Sequence, residues 1–343
     1  MRLGTLLDYS KPPRELAESV VDLERAGADI VFVAEAYGFD AVGLLGFLAA
    51  RTERVQLASG ILPIYSRTPT LLAQTAAGLD ALSGGRFVLG LGASGPQVIE
   101  GWHGVPYDHP VERTREIISI CRQVWRREGP LVHDGLYTIP LPRGRGTGLG
   151  KPLKIINRPV RGDIPIWLAA LGPKNVEMAA SVAHGWLPFL FVPERAERAW
   201  GEALARGRAQ RDPQLPPLDI AAGGLAAIGD GLEHLRDLAR PMAALYIGGM
   251  GARGQNFYNS VVRRYGFEEA AERIQDLYLD GKTREAEAAI PAELLEGLTM
   301  IGSEGYIKER LAAFHESGVS VLNVTPIGPE PLGTLERLKE WMP

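Results

Sequence analysis

The sequence predicts an α/β fold of the TIM (β/α)8 barrel type, one domain over residues 1–343 with insertions after strand 4 and after strand 7. Three observations predict it. Short apolar runs recur, the early ones starting about every 30 residues, and each gives way to a stretch with apolar residues at helical spacing. The run at 30–34 is apolar on both faces, as a strand buried beneath helices must be. Glycines and prolines punctuate the ends of these segments rather than clustering as low complexity.

Taken in order, strand one spans residues 2–7 and a helix follows over 14–26, with Leu16, Val20 and Leu23 on one face and Gly27 as its stop. Strand two covers 30–34 and helix two 39–51. Strand three (55–59), helix three (68–82) and strand four (87–91) form a βαβ unit in which small residues end each strand. An irregular segment after Pro96 leads to an amphipathic helix at 112–127. Residues 129–163 break the rhythm with prolines, glycines and arginines, and read as the first insertion, hairpin-like around 131–137. Strands at 164–169 and 185–191 alternate with helices at 175–183 and 194–211. Strand seven covers 219–228, a helix lies near 232–240, and 244–247 reads as a short strand. The second insertion, 248–302, is helical by pattern. A helix at 305–317, strand eight at 319–324 and a helix at 332–341 close the repeat.

An open doubly wound sheet is the competing fold, because Gly90-Leu91-Gly92-Ala93-Ser94-Gly95 matches G-x-G-x-x-G directly after a strand. The dinucleotide fingerprint also needs a helix opening at the third glycine and a strand ending in an acid about 20 residues on. Here Pro96 and a Trp/His-containing loop intervene, and the later region is helix-patterned. The barrel is preferred.

Composition narrows function. A net charge of -4, from 37 basic and 41 acidic residues, calls for neither nucleic acid nor an anionic membrane. The lone Cys121 excludes an internal disulfide and suits a reducing compartment. No apolar run approaches the ~20 residues that span a bilayer, and the chain opens directly on a strand. A cytoplasmic, soluble protein acting on a small molecule is expected.

In a barrel, chemistry sits at the C-terminal ends of the strands. Those ends here are poor in acids, bases and nucleophiles. The six histidines are scattered without paired spacing, so no metal site is expected. There is no G-x-S-x-G and no Walker motif. A rim of small, apolar residues suits a large flat cofactor that carries its own reactivity. Gly172-Pro173-Lys174 fits the start of a helix, whose free N–H groups would hold a phosphate. It fits a plain turn into a helix equally well.

The run from residue 59 to 104, SGILPIYSRTPTLLAQTAAGLDALSGGRFVLGLGASGPQVIEGWHG, resembles the luciferase-like monooxygenase superfamily. Within it, the deazaflavin-dependent oxidoreductases typified by methylene-tetrahydromethanopterin reductase are the most similar. VAEAYGFDAV (33–42), LAALGPKNVEMAA (168–180), HGWLPFLFVPE (184–194) and GGMGARGQNFYN (248–259) extend the likeness over the whole chain. The resemblance implies coenzyme F420, a 5-deazaflavin hydride carrier, with FMN as the alternative. It implies a non-proline cis peptide at Gly60-Ile61 behind the ring, after Ser59. It places Gly92, Ala93, Ser94, Gly95 and Gln97 along the deazaflavin, and Ala169, Ala170, Leu171, Gly172, Pro173 and Lys174 around the phosphate. Glu35 would lie near the ring or its ribityl chain. A homodimer is common in the family, and 248–302 offers surface for one.

Two departures matter. Where sugar-phosphate and alcohol dehydrogenases of the family carry a histidine after the strand-two acid, this chain has Ala36. Where they carry an acid after strand four, it has Val98. Alcohol oxidation is therefore disfavoured, and reduction of an activated C=C or C=N bond is expected. No residue stands out as the catalyst; Glu35, Glu100 and His103 are the candidates. Tyr9, Tyr37, Tyr65 and Trp102 are candidates for the substrate pocket; each tyrosine could equally be a barrel-end residue, and Trp102 could be loop packing. An FMN-dependent monooxygenase and a non-catalytic flavin- or deazaflavin-binding barrel are the rival functions.

Overall fold

The computed structural model describes residues 1–7 and 11–343. Its strands are β1 (Arg2–Leu6), β2 (Ile30–Val33), β3 (Gln56–Ser59), β4 (Leu62–Pro63), β5 (Phe87–Gly92), β6 (Ile166–Ala169), β7 (Gly185–Leu187), β8 (Asp219–Ala222), β9 (Leu225–Ile228), β10 (Met300–Gly302), β11 (Val321–Asn323) and β12 (Thr325–Pro326). The hydrogen-bonded order is β3-β2-β1-β11-β8-β7-β6-β5, and β5 returns to β3. This is a closed barrel of eight parallel strands with helices between them, as the sequence predicts. Representative registers are Leu57 opposite Phe87 and Val321 opposite Ala221.

The helices are α1 (Pro13–Arg25), α2 (Ala41–Ala49), α3 (Pro69–Leu82), α4 (Pro96–Gly101), α5 (Pro110–Arg126), α6 (Pro173–Val182), α7 (Pro193–Ala209), α8 (Arg240–Ala244), α9 (Phe257–Arg264), α10 (Glu268–Leu279), α11 (Thr283–Ala288), α12 (Ala292–Gly297), α13 (Glu304–Glu316) and α14 (Pro331–Trp341). Many open on a proline, whose missing N–H is not needed in a first turn. Among the described residues no helix is long and apolar enough to cross a membrane.

Several expectations need correction. The strand expected at 219–228 is two strands, β8 and β9, broken at Gly223-Gly224. A Cβ at Gly223 would fall 2.1 Å from the Asn323 carbonyl oxygen, and one at Gly224 2.0 Å from that of Leu298. The strand expected at 185–191 stops at Leu187, and Leu190 is left-handed at φ 54°. Residues 244–247 are not a strand but run from α8 into a π-helical turn at Leu245–Gly249. The segment after Gly95 is helical over α4. The insertion 248–302 is helical as expected but ends in β10, which pairs with β9.

The chain divides into two compact units, Phe32–Trp167 with Asp8–Ala17, and Leu168–Pro343 with Met1–Leu7 and Glu18–Val31. In the first, β3, β5 and α3 bury Leu57, Ala58, Phe87, Val88, Leu72 and Ala76. Its insertion is tied down by Arg161, whose guanidinium bonds the fully buried Asp80 and the Phe87 carbonyl at 2.6 Å. In the second, Trp186, Phe191, Trp200, Tyr265 and Phe314 form an aromatic core with ring centroids 5.2 to 6.3 Å apart.

Candidate active site

Within Phe32–Trp167, the loop after β2 carries Glu35, whose carboxylate is fully engaged. Oε1 accepts from Arg67 Nη1 at 2.5 Å, and Oε2 accepts from Arg67 Nη2 at 2.9 Å and from the Ala41 N–H at 3.0 Å. Arg67 Nη2 also reaches Asp40 at 2.6 Å, and Asp40 in turn caps α2 through the Gly43 N–H. Hydrogen bonding to Glu35 holds the Arg67 guanidinium above its ordinary range, against the opposing effect of burial. Bidentate pairing of this kind fixes geometry. Here it clamps the β2–α2 loop to the residue preceding Thr68, the cap of α3.

The Gly60-Ile61 peptide after β3 is cis. The Gly60 N–H donates to the Val33 carbonyl at 2.7 Å. Ser59 Oγ both donates to the Gly90 carbonyl and accepts from the Gly90 N–H, each at 2.8 Å, so this hydroxyl locks β3 to β5. A Cβ at Gly90 would fall 1.8 Å from the Ser59 carbonyl oxygen; only glycine permits that approach. After β5, the Gly92 carbonyl accepts from the Ile64 N–H at 3.0 Å, Ser94 is left-handed at φ 58°, and Gly95 precedes α4. Ala93, Ser94 and Gly95 are half-buried and Gln97 is exposed. A helix does open at the third glycine, as a dinucleotide fingerprint requires, but it has six residues and lies on a closed barrel.

The other candidates in this unit divide. Glu100 is exposed and accepts from the Tyr107 N–H at 3.1 Å. His103 Nε2 is buried with no hydrogen-bond partner among the described residues. Trp102 and Tyr37 project into solvent, 66% and 65% exposed. Tyr65 does not: it is 9% exposed, its hydroxyl donates to the Asp108 carbonyl at 2.7 Å, and Arg113 lies over its ring. Burial pushes the Tyr65 phenol well above its ordinary range. Tyr9 lies outside the described residues.

Within Leu168–Pro343, β6 ends at Ala169 and α6 opens at Pro173 behind Gly172, with no side-chain cap. The intervening carbonyls are pinned. Ala170 accepts from Trp186 Nε1, and Leu171 accepts from Trp200 Nε1 and Arg264 Nη2, each at 2.9 Å. Sequestering those acceptors leaves a helix start rich in donors, with Lys174 exposed beside it. Arg264 adds a half-buried cation whose Nε is buried without a partner among the described residues, and burial lowers its pKa. Both features fit an anion such as a phosphate. Sequence reasoning missed Arg264, because nothing local links it to Leu171 across 93 residues.

Comparison with known proteins agrees with this architecture. A protein of Mycobacterium tuberculosis, whose name provisionally assigns it as a coenzyme F420-dependent oxidoreductase, is 41% identical over 344 residues, covering 98% of this chain and 99% of its own length. The 5,10-methylenetetrahydromethanopterin reductase of Archaeoglobus fulgidus is 27% identical over 339 residues, covering 96% and 95%. The solved coenzyme F420-dependent tetrahydromethanopterin reductase of Methanopyrus kandleri superposes with a TM-score of 0.81 at 22% identity, over 99% of this chain and 98% of that one, which establishes a shared fold. The family described as luciferase-like monooxygenase matches residues 1–320, and this chain belongs to it.

Proposed function

We propose that the protein is a coenzyme F420-dependent oxidoreductase that reduces an activated C=C or C=N bond of a small organic substrate. The relative 41% identical over nearly the full length of both chains supports the coenzyme. The observation that carries the reductive direction is the state of Glu35. Both its oxygens are held by Arg67 and the Ala41 N–H, and Ala36 and Val98 stand where an acid/base pair would be needed to take a proton from an alcohol. When bound in its reduced form, F420 would supply the hydride and leave as the oxidised deazaflavin, with a proton completing the reduction. The protein's part is to hold and orient. The backbone around Gly60-Ile61 and the loop from Gly92 to Gly95 offer a wall of small residues to the ring. The Gly172-Pro173-Lys174 helix start and Arg264 offer donors to the phosphate. His103, with its unpartnered Nε2, is the better placed of the three candidates to relay a proton, since Glu35 is clamped and Glu100 is exposed.

The protein works as a homodimer in the cytoplasm. The face used is that of α2 and α3, where Phe47, Leu71 and Leu82 are 41%, 47% and 67% exposed. Anaerobic mixing with F420H2 and a panel of enones and imines, followed by loss of the reduced coenzyme, tests the function. Turnover of conjugated substrates and none of secondary alcohols with oxidised F420 is expected. Rapid oxygen consumption with reduced FMN under air would instead identify a monooxygenase. Deazaflavin binding without turnover of any panel member would leave a binding barrel.

A further inference from the structure

The chain leaves helix α8 through the π-helical turn Leu245–Gly249. Such turns are uncommon and recur where side chains must be re-aimed at functional sites. This one is enforced from both sides. Asn256 Nδ2 donates to the carbonyls of Tyr246 and Ile247 at 2.9 and 3.1 Å, and Asn259 Nδ2 donates to Ile247 at 3.1 Å. On the other side Tyr278 packs so closely that a Cβ at Gly248 or Gly249 would come within 2.5 or 2.4 Å of its side chain.

The result is a triangle of rings. Tyr246 meets Phe189 with centroids 4.5 Å apart, and Tyr258 stands 4.7 Å from Tyr246 and 5.7 Å from Phe189. All three are half-buried, in contrast to the fully buried aromatic core of the same unit. Phe189 lies just beyond the C-terminal end of β7, the barrel end that carries chemistry. Tyr258 follows Phe257, whose ring lies 3.7 Å from where a Cβ of Gly172 would sit. The cluster thus borders the helix start assigned to the phosphate. Aromatic groups prefer to meet other rings in offset or edge-to-face contact, which selects flat partners over compact aliphatic ones.

From this we propose that Phe189, Tyr246 and Tyr258 form a substrate-positioning platform, and that the preferred acceptor is an aryl-conjugated C=C or C=N compound rather than a small aliphatic one. The proposal rests on the reductase assignment above and narrows its substrate class. The π-helical turn is what aims Tyr246 at Phe189, and the two asparagines are what hold the turn.

Matched ligands test it. Benzylideneacetone and 3-penten-2-one share one enone and differ only by phenyl against methyl. Their dissociation constants are measured by calorimetry on wild-type protein, alone and saturated with oxidised F420, so that no turnover occurs. Wild type is expected to favour the phenyl enone by more than tenfold. Phe189→Leu and Tyr246→Leu should each reduce that ratio several-fold, while Tyr246→Phe, which keeps the ring, leaves it unchanged. Equal affinity of wild type for both enones overturns the proposal, as does a ratio that Phe189→Leu and Tyr246→Leu leave intact. Circular dichroism and the affinity for F420, followed by deazaflavin fluorescence, confirm that the variants fold. Absence of F420 binding by wild type would instead count against the coenzyme assignment, whatever the enones do.

Discussion

Glu35 is a candidate for chemistry whose carboxylate is fully engaged by its neighbours. An acid at the end of a barrel strand reads as catalytic, but this carboxylate is 8% exposed and paired to an arginine that is itself 14% exposed. Removing one partner of such a pair strands the other charge out of water, which costs about 3–5 kcal/mol. Arg67→Ala is therefore expected to lower the unfolding free energy by that amount in a denaturant titration. Glu35→Gln, which keeps the shape and the Ala41 contact, should cost less and leave turnover within a few-fold. A thousand-fold loss of turnover in Glu35→Gln at unchanged stability would return Glu35 to the proton-transfer step. A second carboxylate makes a pH-dependent prediction. Burial opposes ionisation of Glu116, yet the N–H groups of Leu136 and Tyr137 and the ring of His133 together draw its pKa below the usual carboxylate value. A lowered folded-state pKa stabilises the fold above the unfolded-state value, and that contribution is lost as pH falls through the folded-state value. Acidification below about pH 4.5 should thus loosen the 131–139 turn. The exchange rates of the Leu136 and Tyr137 amides would report it, and Glu116→Gln should remove the acid-dependent part.

Helices α2 and α3 belong to another level, because no single residue explains them. Between Ala41 and Ala49 there is no charged side chain, and α3 carries only Asp80, buried and bonded to Arg161. Helix α2 is apolar on all sides, and such a helix is normally covered on all sides; α3 adds the exposed Gln74 but no exposed charge. Leu71, Gly78 and Leu82 share one helical face by their spacing, and a Cβ at Gly78 would meet nothing within 4 Å. Arg51 lies over the Phe47 ring just beyond α2, but no exposed position within either helix is charged, so the helical face can meet a copy of itself with little repulsion, as an isologous dimer requires. Wild type is expected to sediment as a dimer, and Phe47→Glu combined with Leu82→Glu as a monomer. A monomeric wild type at micromolar concentration would overturn this dimer. The same elements show what local sequence can reveal. Strands β2 and β5 and helices α1 and α5 were legible because their apolar spacing is dictated by their own burial. The break at Gly223-Gly224 was not, since it arises from carbonyls of Asn323 and Leu298 that are distant in sequence. Residues 244–247 misled for a related reason: four apolar residues in a row fit a buried strand or a buried helix, and only the asparagines at 256 and 259 decide between them.

At the scale of the whole chain, the barrel was readable from the count of strand–helix pairs, whereas the proposed site rests, at the level of sequence, on backbone features alone. Gly92, Gly95 and Gly172, the glycines proposed to bring main chain against the coenzyme, stand in the sequence for inspection. The side chains that complete such places come from wherever the fold brings them. Arg264 is the instructive case. It lies in the helical insertion expected to offer surface for a dimer, and its guanidinium bonds Leu171 beside the start of α6. Burial disfavours its charge and its Nε has no partner among the described residues, so a bound anion would relieve both costs. If that anion is the coenzyme phosphate, Arg264→Leu should weaken binding of intact F420 about tenfold, the scale of one charge-assisted hydrogen bond. Binding of the deazaflavin fragment that lacks the phosphate should not change. The two titrations, read by deazaflavin fluorescence, separate a phosphate contact from a general loosening of the fold, which would weaken both ligands together. Equal losses for intact coenzyme and fragment would make Arg264 a brace for the Leu171 loop rather than a ligand of the phosphate.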